Sequence, residues 1–248
     1  QQLVLGMDLL RDCDALPAAG GTVADLTLVR RSPDAASWLA RVEGESTAVL
    51  QDAPPALLSD REFMLAATQL DEQALHYAAP HVKNDRWAVL EMLRSDGRAF
   101  AHVAPALRED REIVLAAVRS FGCALSWAPP SLQADYAVVL AAVSQDGMAL
   151  FHAPRDLCSH RGIVLAAARQ CGAALMRAAP ALRDDRDVVL AAVAQDGMAL
   201  EHASARLCSD RGVVEVALHR SPNALRFATP ELRDDLEILR IASTSRTS

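Results

Sequence analysis

The sequence is poor in aromatic residues, has a single lysine and contains no long apolar stretch. Aromatic side chains make up 4% of its 248 residues, and Lys83 is the only lysine. A core must therefore be built from alanine, valine and leucine, a composition that suits closely packed helices better than a β-sandwich. No run of about 18 apolar residues occurs, which excludes a membrane-spanning helix. The net charge of −7 argues against a nucleic-acid partner.

Paired or metal-binding cysteines are not indicated either. The chain has five cysteines, an odd number, and none lies in a CxxC spacing: Cys13, Cys123, Cys158, Cys171 and Cys208. We predict reduced, buried thiols in a cytoplasmic protein. The chain starts at Gln1 without a methionine or a signal peptide, so we expect it to be a fragment of a longer protein.

A repeat with a period of 25 residues runs through most of the chain. A glycine recurs at this interval from Gly97 to Gly197, and an aspartate recurs at another offset, where only His160 interrupts the row. The aspartates are Asp60, Asp85, Asp110, Asp135, Asp185, Asp210 and Asp235. Self-similarity at a fixed period of this length is the mark of a repeat architecture.

Each repeat predicts two helices. The first follows an N-cap at the residue before the aspartate, as in the capping box from Ser59 to Glu62, and the recurring glycine ends it as a C′ residue. This helix is apolar nearly all round, which places Leu190 in the core. A shorter second helix stops before a proline. The first helices are predicted over 60–70, 85–95, 110–120, 135–145, 160–170, 185–195 and 210–220, and a closing helix over 235–242.

The repeats resemble the domain of unknown function 4116 family. The stretch LRDDRDVVLAAV, residues 182–193, agrees with the family repeat ALxYAxxxLRxDREVVLAAVxxxG in register, charge order and alanine placement. The resemblance covers residues 34–242 and implies a tandem α-helical array with no activity attached to it. We therefore predict an all-α fold, a right-handed-type α-α solenoid of about eight two-helix repeats over residues 32–242, followed by a polar tail, 243–248.

The first 31 residues lie outside the repeat and read as short strands. An apolar run from Gln2 to Leu5 is followed by Leu10, Asp12 and Leu16, and an alternating segment, 25–29, comes after a Gly-Gly turn. This frame resembles the C-terminal half of a ubiquitin-like domain, in which Val4 takes the place of the central isoleucine of the partner-binding patch. Arg30-Arg31 continues into Ser-Pro instead of Gly-Gly, so the segment cannot act as a conjugated modifier. An unrelated β-hairpin is the alternative.

The sequence shows no catalytic or metal-binding motif. The histidines His102, His152 and His202 share one offset but lie two repeats apart, about 20 Å at helix-packing distances, too far to share a metal ion. No phosphate-binding loop, GxSxG or HExxH motif is present. The recurring Asp-Arg pairs, such as Asp185-Arg186, either form salt bridges between adjacent repeats or bind a charged partner. We predict no catalytic residue, no cofactor and no metal.

One row of residues in the second helix is a candidate partner-binding surface. Tyrosine, tryptophan and arginine are enriched in interface hot spots, and a solenoid presents such a row along one face. The alternative is that these side chains pack between repeats and expose only their polar tips. The row consists of Tyr77, His102, Trp127, His152, Arg177, His202 and Phe227.

We therefore predict a non-catalytic protein–protein interaction scaffold, linked to a ubiquitin-pathway or other multidomain protein. Its expected partner is a protein, with no nucleic acid and no membrane, and the chain is expected to be monomeric and cytoplasmic. The alternative is the targeting or regulatory region of an enzyme whose catalytic domain lies outside these residues.

Overall fold

The computed structural model describes residues 3–5, 8–10 and 33–244, with side chains from 34 to 243. The chain divides into two compact units, residues 1–92 and 93–248, and each is described by itself. No helix in the described part of the chain is both long enough and apolar enough to cross a membrane.

At the N-terminus two short strands form an antiparallel pair. Strand β1 is Leu3–Leu5 and strand β2 is Asp8–Leu10, and Val4 lies opposite Leu9. The predicted strand 25–29, and with it most of the segment that resembles a ubiquitin-like domain, lies outside the described residues.

Helical segments make up the rest of the first unit, and they recur in a fixed order. A long α-helix is followed by a short segment and then by a four-residue α-helix that starts at a proline. The segments are Pro33–Gly44, Thr47–Asp52 (a 3₁₀ helix), Pro55–Leu58, Arg61–Leu70, Ala74–Tyr77 and Pro80–Lys83. The next long helix, Arg86–Ser95, includes the boundary residue of the unit.

The second unit continues with the same three-part repeat. Its long α-helices are Arg111–Ser120, Tyr136–Gln145, Arg161–Gln170, Arg186–Gln195, Arg211–Arg220 and the closing Leu236–Thr244. Its six-residue 3₁₀ helices are Gly97–His102, Gly122–Trp127, Gly147–His152, Gly172–Arg177, Gly197–His202 and Pro222–Phe227. Its short third segments are Pro105–Arg108, Pro130–Gln133, Leu157–Ser159 (3₁₀), Pro180–Arg183, Ala205–Cys208 and Pro230–Arg233.

The predicted α-helical solenoid is confirmed, and its long helices begin and end within a residue or two of the predicted bounds. Tyr136–Gln145 packs on the long helices before and after it, Arg111–Ser120 and Arg161–Gln170, and on the neighbouring 3₁₀ helices. The repeat is richer than the predicted pair of helices: its second segment is a 3₁₀ helix, and a third, proline-led segment leads to the next repeat.

The predicted N-caps are wrong by one residue. The side chain of Asp60 accepts hydrogen bonds from the backbone N–H groups of Glu62 and Phe63 at 2.9 and 3.2 Å, so Asp60 is the N-cap and no capping box starts at Ser59. Ser59 instead ends the short helix Pro55–Leu58 as its C-cap. The aspartate row is therefore a row of N-caps, which satisfy the free N–H groups of each first turn.

The recurring glycines have a different role from the predicted C′ residue. At Gly172 a Cβ atom would lie 2.6 Å from the backbone oxygen of Ala192 in the next repeat, and at Gly122 it would lie 2.6 Å from the oxygen of Ala142. Neither glycine has the positive φ of a left-handed cap. Glycine is needed because two repeats approach backbone to backbone at this point.

Four positions of each long helix from Arg61–Leu70 to Arg211–Arg220 are buried and form the core. In Arg186–Gln195 these are Val188, Val189, Ala192 and Val193, all fully buried. Leu190 is only half-buried, so its predicted place in the core is wrong. An α-helix has 3.6 residues per turn, so the two buried pairs lie one turn apart on the same face, which packs on the neighbouring helices. Leu190 lies between the two pairs in sequence and therefore at the edge of that face.

Candidate functional site

The 3₁₀ helices of the second unit create a surface ridge. In Gly147–His152 the third and fourth residues, Ala149 and Leu150, are fully buried, whereas the second, fifth and sixth reach the surface. The same three positions recur in the neighbouring segments. We call these positions in residues 97–227 the 3₁₀ ridge.

The predicted row is the sixth position of this ridge, apart from Tyr77, which ends the short α-helix Ala74–Tyr77 in the first unit. Of the row, His152 is exposed, and the others are half-buried: Tyr77, His102, Trp127, Arg177, His202 and Phe227. Their rings and stems are thus partly packed and partly accessible. Binding by this row stays a prediction.

The exposed apolar residues of the ridge lie in its middle. Met148 is 40% exposed and Met176 is 44% exposed, although both are large and apolar. They belong to adjacent repeats, whose 3₁₀ helices Gly147–His152 and Gly172–Arg177 pack against each other. Flexible, polarizable methionine side chains are common on surfaces that adapt to a bound partner. Sequence reasoning missed both methionines because the prediction followed only the row with aromatic and charged residues.

A cation joins the two repeats at this place. The guanidinium carbon of Arg177 lies 5.8 Å from the centre of the Phe151 ring in the preceding repeat, within cation–π range. The same guanidinium interacts with the thiol of Cys158, which is buried. Burial raises the pKa of the Cys158 thiol, and the charge of Arg177 acts in the opposite direction.

Arg177 carries a buried donor that the described residues leave without an acceptor. Its Nε atom is buried and has no hydrogen-bond partner. None of the ion pairs formed between described residues includes it, in contrast to Arg98 elsewhere on the ridge, which binds Asp96 with a shortest distance of 2.6 Å. An unpaired, partly desolvated cation is costly, and a carboxylate supplied from outside would remove much of that cost.

Side chains of the short third segments stabilise the backbone of the ridge through hydrogen bonds. The side chain of Arg183 donates hydrogen bonds to the backbone oxygens of Ala178 and Met176 at 2.9 and 2.5 Å. Arg108 donates to the corresponding oxygens at the end of the earlier 3₁₀ helix Gly97–His102. These oxygens end a 3₁₀ helix and have no partner within it, so the donated bonds fix the backbone that carries Met176. The recurrence of Arg, Lys or Gln just before the cap was the sequence signal for this support.

Arginines on the long helices are paired between repeats. Arg111 binds Asp135 at 2.8 Å, Arg161 binds Asp185 at 2.6 Å, and Arg186 binds Asp210 at 3.1 Å. Arg211 and Asp235 form a further pair at 3.1 Å. The hydrogen bond from Arg111 lowers the pKa of Asp135 to about 2. The salt-bridge interpretation of the Asp-Arg pairs is thus confirmed, and we call this row the ionic ladder.

No group of three histidine, cysteine or acidic side chains within the described residues is arranged to hold a metal ion. The cysteines Cys123, Cys158, Cys171 and Cys208 are free thiols, and of these only Cys158 is fully buried. Burial, followed by the neighbouring Asp146, raises the pKa of Cys123 to about 11.

Comparison with known proteins gives one family. Six overlapping windows, which together cover residues 60–233, match the model of the "Domain of unknown function (DUF4116)". No curated protein and no solved structure matches the chain.

Proposed function

The chain belongs to the family of the domain of unknown function DUF4116, and we propose that it serves as a non-catalytic scaffold that binds a protein partner through the 3₁₀ ridge. The observation that carries this proposal is the exposure of Met148 and Met176 on adjacent repeats, beside the aromatic ring of Phe151. Large apolar side chains left in contact with water on a backbone fixed by hydrogen bonds favour association with another surface.

Two further features support a protein partner. The ridge carries aromatic and arginine side chains, the residue types that dominate interface hot spots, at Phe151, Trp127 and Arg177. The Trp127 ring packs on Phe121 at 6.0 Å between ring centres, which holds it in one orientation while it stays half-exposed. We propose a monomeric, cytoplasmic protein; the four described free cysteines support the reducing compartment.

A link to the ubiquitin pathway is part of the same proposal. Its support is the sequence frame of Leu10, Asp12 and Leu16, together with the antiparallel pairing of Leu3–Leu5 with Asp8–Leu10. If this segment acts as a ubiquitin-like surface, isolated ubiquitin-associated domains should bind the chain, and Val4→Ala should abolish that binding. Binding that persists in Val4→Ala, or no binding at all, would remove the ubiquitin link and leave the ridge proposal unaffected.

The scaffold proposal is tested by removing the exposed methionines. The double variant Met148→Ser and Met176→Ser should lose protein partners that co-purify with the wild-type chain from the source cells, while its melting temperature stays close to that of the wild type. The matched control is Leu236→Ser, since Leu236 is 82% exposed but lies in the closing helix, outside the two 3₁₀ helices that carry Met148 and Met176. Partners lost equally from the control, or retained by the double variant, would contradict a ridge-mediated role.

Trp127→Ala separates binding from packing in the predicted row. Because Trp127 is half-buried, the variant should lose less stability than the ~3–5 kcal/mol of a fully buried tryptophan, and it should bind partners more weakly. If calorimetric melting shows that Trp127→Ala loses the full ~3–5 kcal/mol of unfolding free energy, the row serves packing between repeats and not binding.

A further inference from the structure

The middle of the ridge combines the guanidinium of Arg177 with the exposed apolar side chains of Met148 and Met176. The inference drawn from this combination rests on the proposed function. We infer that the surface around Arg177 docks an acidic, apolar peptide segment of a partner protein. A carboxylate of that segment pairs with the guanidinium of Arg177, and its apolar side chains pack on Met148 and Met176.

The contacts of Arg177 favour a carboxylate as its ligand. Its guanidinium lies over the face of the Phe151 ring and interacts with the buried thiol of Cys158, whose pKa it lowers against the effect of burial, and its Nε is buried without an acceptor among the described residues. The ladder arginine of the same repeat, Arg161, instead binds Asp185 and Asp187, both at 2.6 Å. One repeat thus carries a neutralised arginine and an arginine that forms no ion pair with any described residue, so the unpaired charge is a local feature of the ridge. A carboxylate is the group that best matches a guanidinium fork.

The second argument is the apolar surround. Met148 and Met176 are among the most exposed large apolar side chains of the described residues, and they occupy the 3₁₀ helices that contribute Phe151 and Arg177. A charge pair formed beside such side chains is shielded from water, which strengthens it. Apolar neighbours therefore favour a peptide with both carboxylates and apolar residues over a purely acidic one.

The third argument is charge complementarity. The chain as a whole carries a net charge of −7. Among the ridge residues of Gly147–His152 and Gly172–Arg177, however, Arg177 is the only one with a formal charge. The acid that precedes the first of these segments, Asp146, is engaged as its N-cap and accepts hydrogen bonds from the N–H of Met148 and the thiol of Cys123. Opposite charges guide association and select partners, so a cation in the middle of the ridge of an acidic protein selects acidic segments. Nucleic acid is disfavoured, because phosphate binding needs several unpaired cations and Arg98 is already paired with Asp96.

The test uses the full 248-residue chain and a phage-displayed library of short random peptides. Peptides selected on the wild-type chain should be enriched in both acidic and apolar residues. A synthetic peptide of the enriched type should bind about tenfold more weakly to Arg177→Met, measured by fluorescence anisotropy, because the charge-assisted hydrogen bonds are lost. Methionine retains an unbranched apolar side chain at this half-buried position without the charge, so this variant should keep a melting temperature close to that of the wild type.

The matched control is Arg169→Met, which removes an exposed arginine from the long helix of the same repeat. It should bind the peptide as the wild type does. The reversal Arg177→Glu should select basic peptides instead, and the double variant Met148→Ser and Met176→Ser should bind the acidic peptide about tenfold more weakly.

Each other outcome overturns the inference. Enriched peptides without acidic residues, or an equal loss of affinity in Arg169→Met and Arg177→Met, would show that Arg177 does not select the ligand. No enrichment above the starting library would exclude peptide docking on this surface. The scaffold role is judged separately by the co-purification test, so partners lost on methionine replacement would preserve it even if acidic peptides do not bind.

Discussion

We call the contact surface between two consecutive repeats a joint. Within the second unit, two pairs of joints differ in the bonds that connect their repeats. We name each repeat by its first residue. The joints on either side of the Asp185 repeat have both an ionic pair and a backbone hydrogen bond, exemplified by Arg161 with Asp185 and by the N–H of Ser204 donating to the oxygen of Arg183 at 2.9 Å. The joints on either side of the Asp135 repeat each lack one of these connections.

Sequence changes account for both gaps. Between the Asp110 and Asp135 repeats the ionic pair of Arg111 with Asp135 is present, but Pro154 occupies the donor position and has no N–H to give. Between the Asp135 and His160 repeats the backbone bond from Ala179 to Cys158 is present at 3.0 Å.

The ionic pair is replaced in that second joint. Tyr136 and His160 stand where the other joints have arginine and aspartate, and their rings meet edge to face at 4.7 Å between centres. The side chain of His160 makes no capping hydrogen bond to the helix that it precedes.

A repeat can therefore lose the ionic pair at one joint and the backbone hydrogen bond at the other and still pack in the array, because each joint keeps one of the two. In an array whose repeats touch mainly their neighbours, stability is close to a sum over repeats and joints. We therefore expect the Asp135 repeat to unfold locally at a lower free energy than the Asp185 repeat. The ridge residues Met148 and Phe151 lie on the Asp135 repeat.

Replacing the joint glycines should produce the largest loss. Gly122→Ala and Gly172→Ala both place a Cβ atom 2.6 Å from a backbone oxygen of the next repeat, at Ala142 and Ala192 respectively. Overpacking of this kind costs about 1–3 kcal/mol. The cost should be smaller at Gly122, because the joint that lacks a backbone bond can shift more easily. Urea unfolding measures both, and equal costs would show that the two joints are equally rigid.

Restoring the ladder at the aromatic joint should stabilise the protein. His160→Asp supplies the missing N-cap, which contributes about 0.5–2 kcal/mol. Adding Tyr136→Arg recreates the ionic pair and should contribute less than about 1 kcal/mol more, since such pairs are exposed. A double-mutant cycle separates the two terms. Tyr136→Arg alone, without the aspartate, is the control and should bring no gain; stabilisation by that single change would disprove the pairing argument.

Ala179→Pro should weaken the same joint. The backbone at Ala179 (φ −60°, ψ 152°) and at the preceding Ala178 (φ −62°, ψ 146°) already suits proline, so the substitution mainly removes the N–H that binds Cys158. The expected loss is about 0.5–1.5 kcal/mol. Hydrogen exchange should become faster in the His160 repeat. Pro129→Ala, which adds a donor in an earlier joint, is the opposite change and should not destabilise.

The smallest effect concerns acid. Arg111 lowers the pKa of Asp135 from its ordinary value of 3.8 to about 2, so the stabilisation from this pair is complete above the ordinary value and is lost as the pH falls through about 2. Arg111→Met should raise the pKa of Asp135 toward 3.8, as measured by NMR titration of the carboxyl carbon. The Tyr136–His160 joint has no carboxylate and so lacks this acid-dependent contribution. An unchanged pKa would show that the pair does not persist in solution.

The sequence predicted the long helices well because periodic apolar residues and a fixed repeat length are local signals. It misplaced the caps because Asp184 and Asp185, like Asn84 and Asp85, are adjacent residues that are both able to cap a helix. The choice depends on where the preceding short helix ends, and that helix was not predicted. The methionines of the ridge were missed because exposure, not residue type, makes them notable.

The helical class, the period, the family and the position of the candidate row follow from the amino-acid sequence alone, since each of these depends on residues a few positions apart or on identity at a fixed interval. Packing between repeats, in contrast, explains why glycine is required at the joints, which arginines are paired and which residues reach the surface. Gly172 and Ala192 lie 20 positions apart, and Arg161 and Asp185 lie 24 apart. Contacts over such separations form only when one repeat packs on the next, so the roles of Gly172, Arg161 and Arg177 follow from the packed joints.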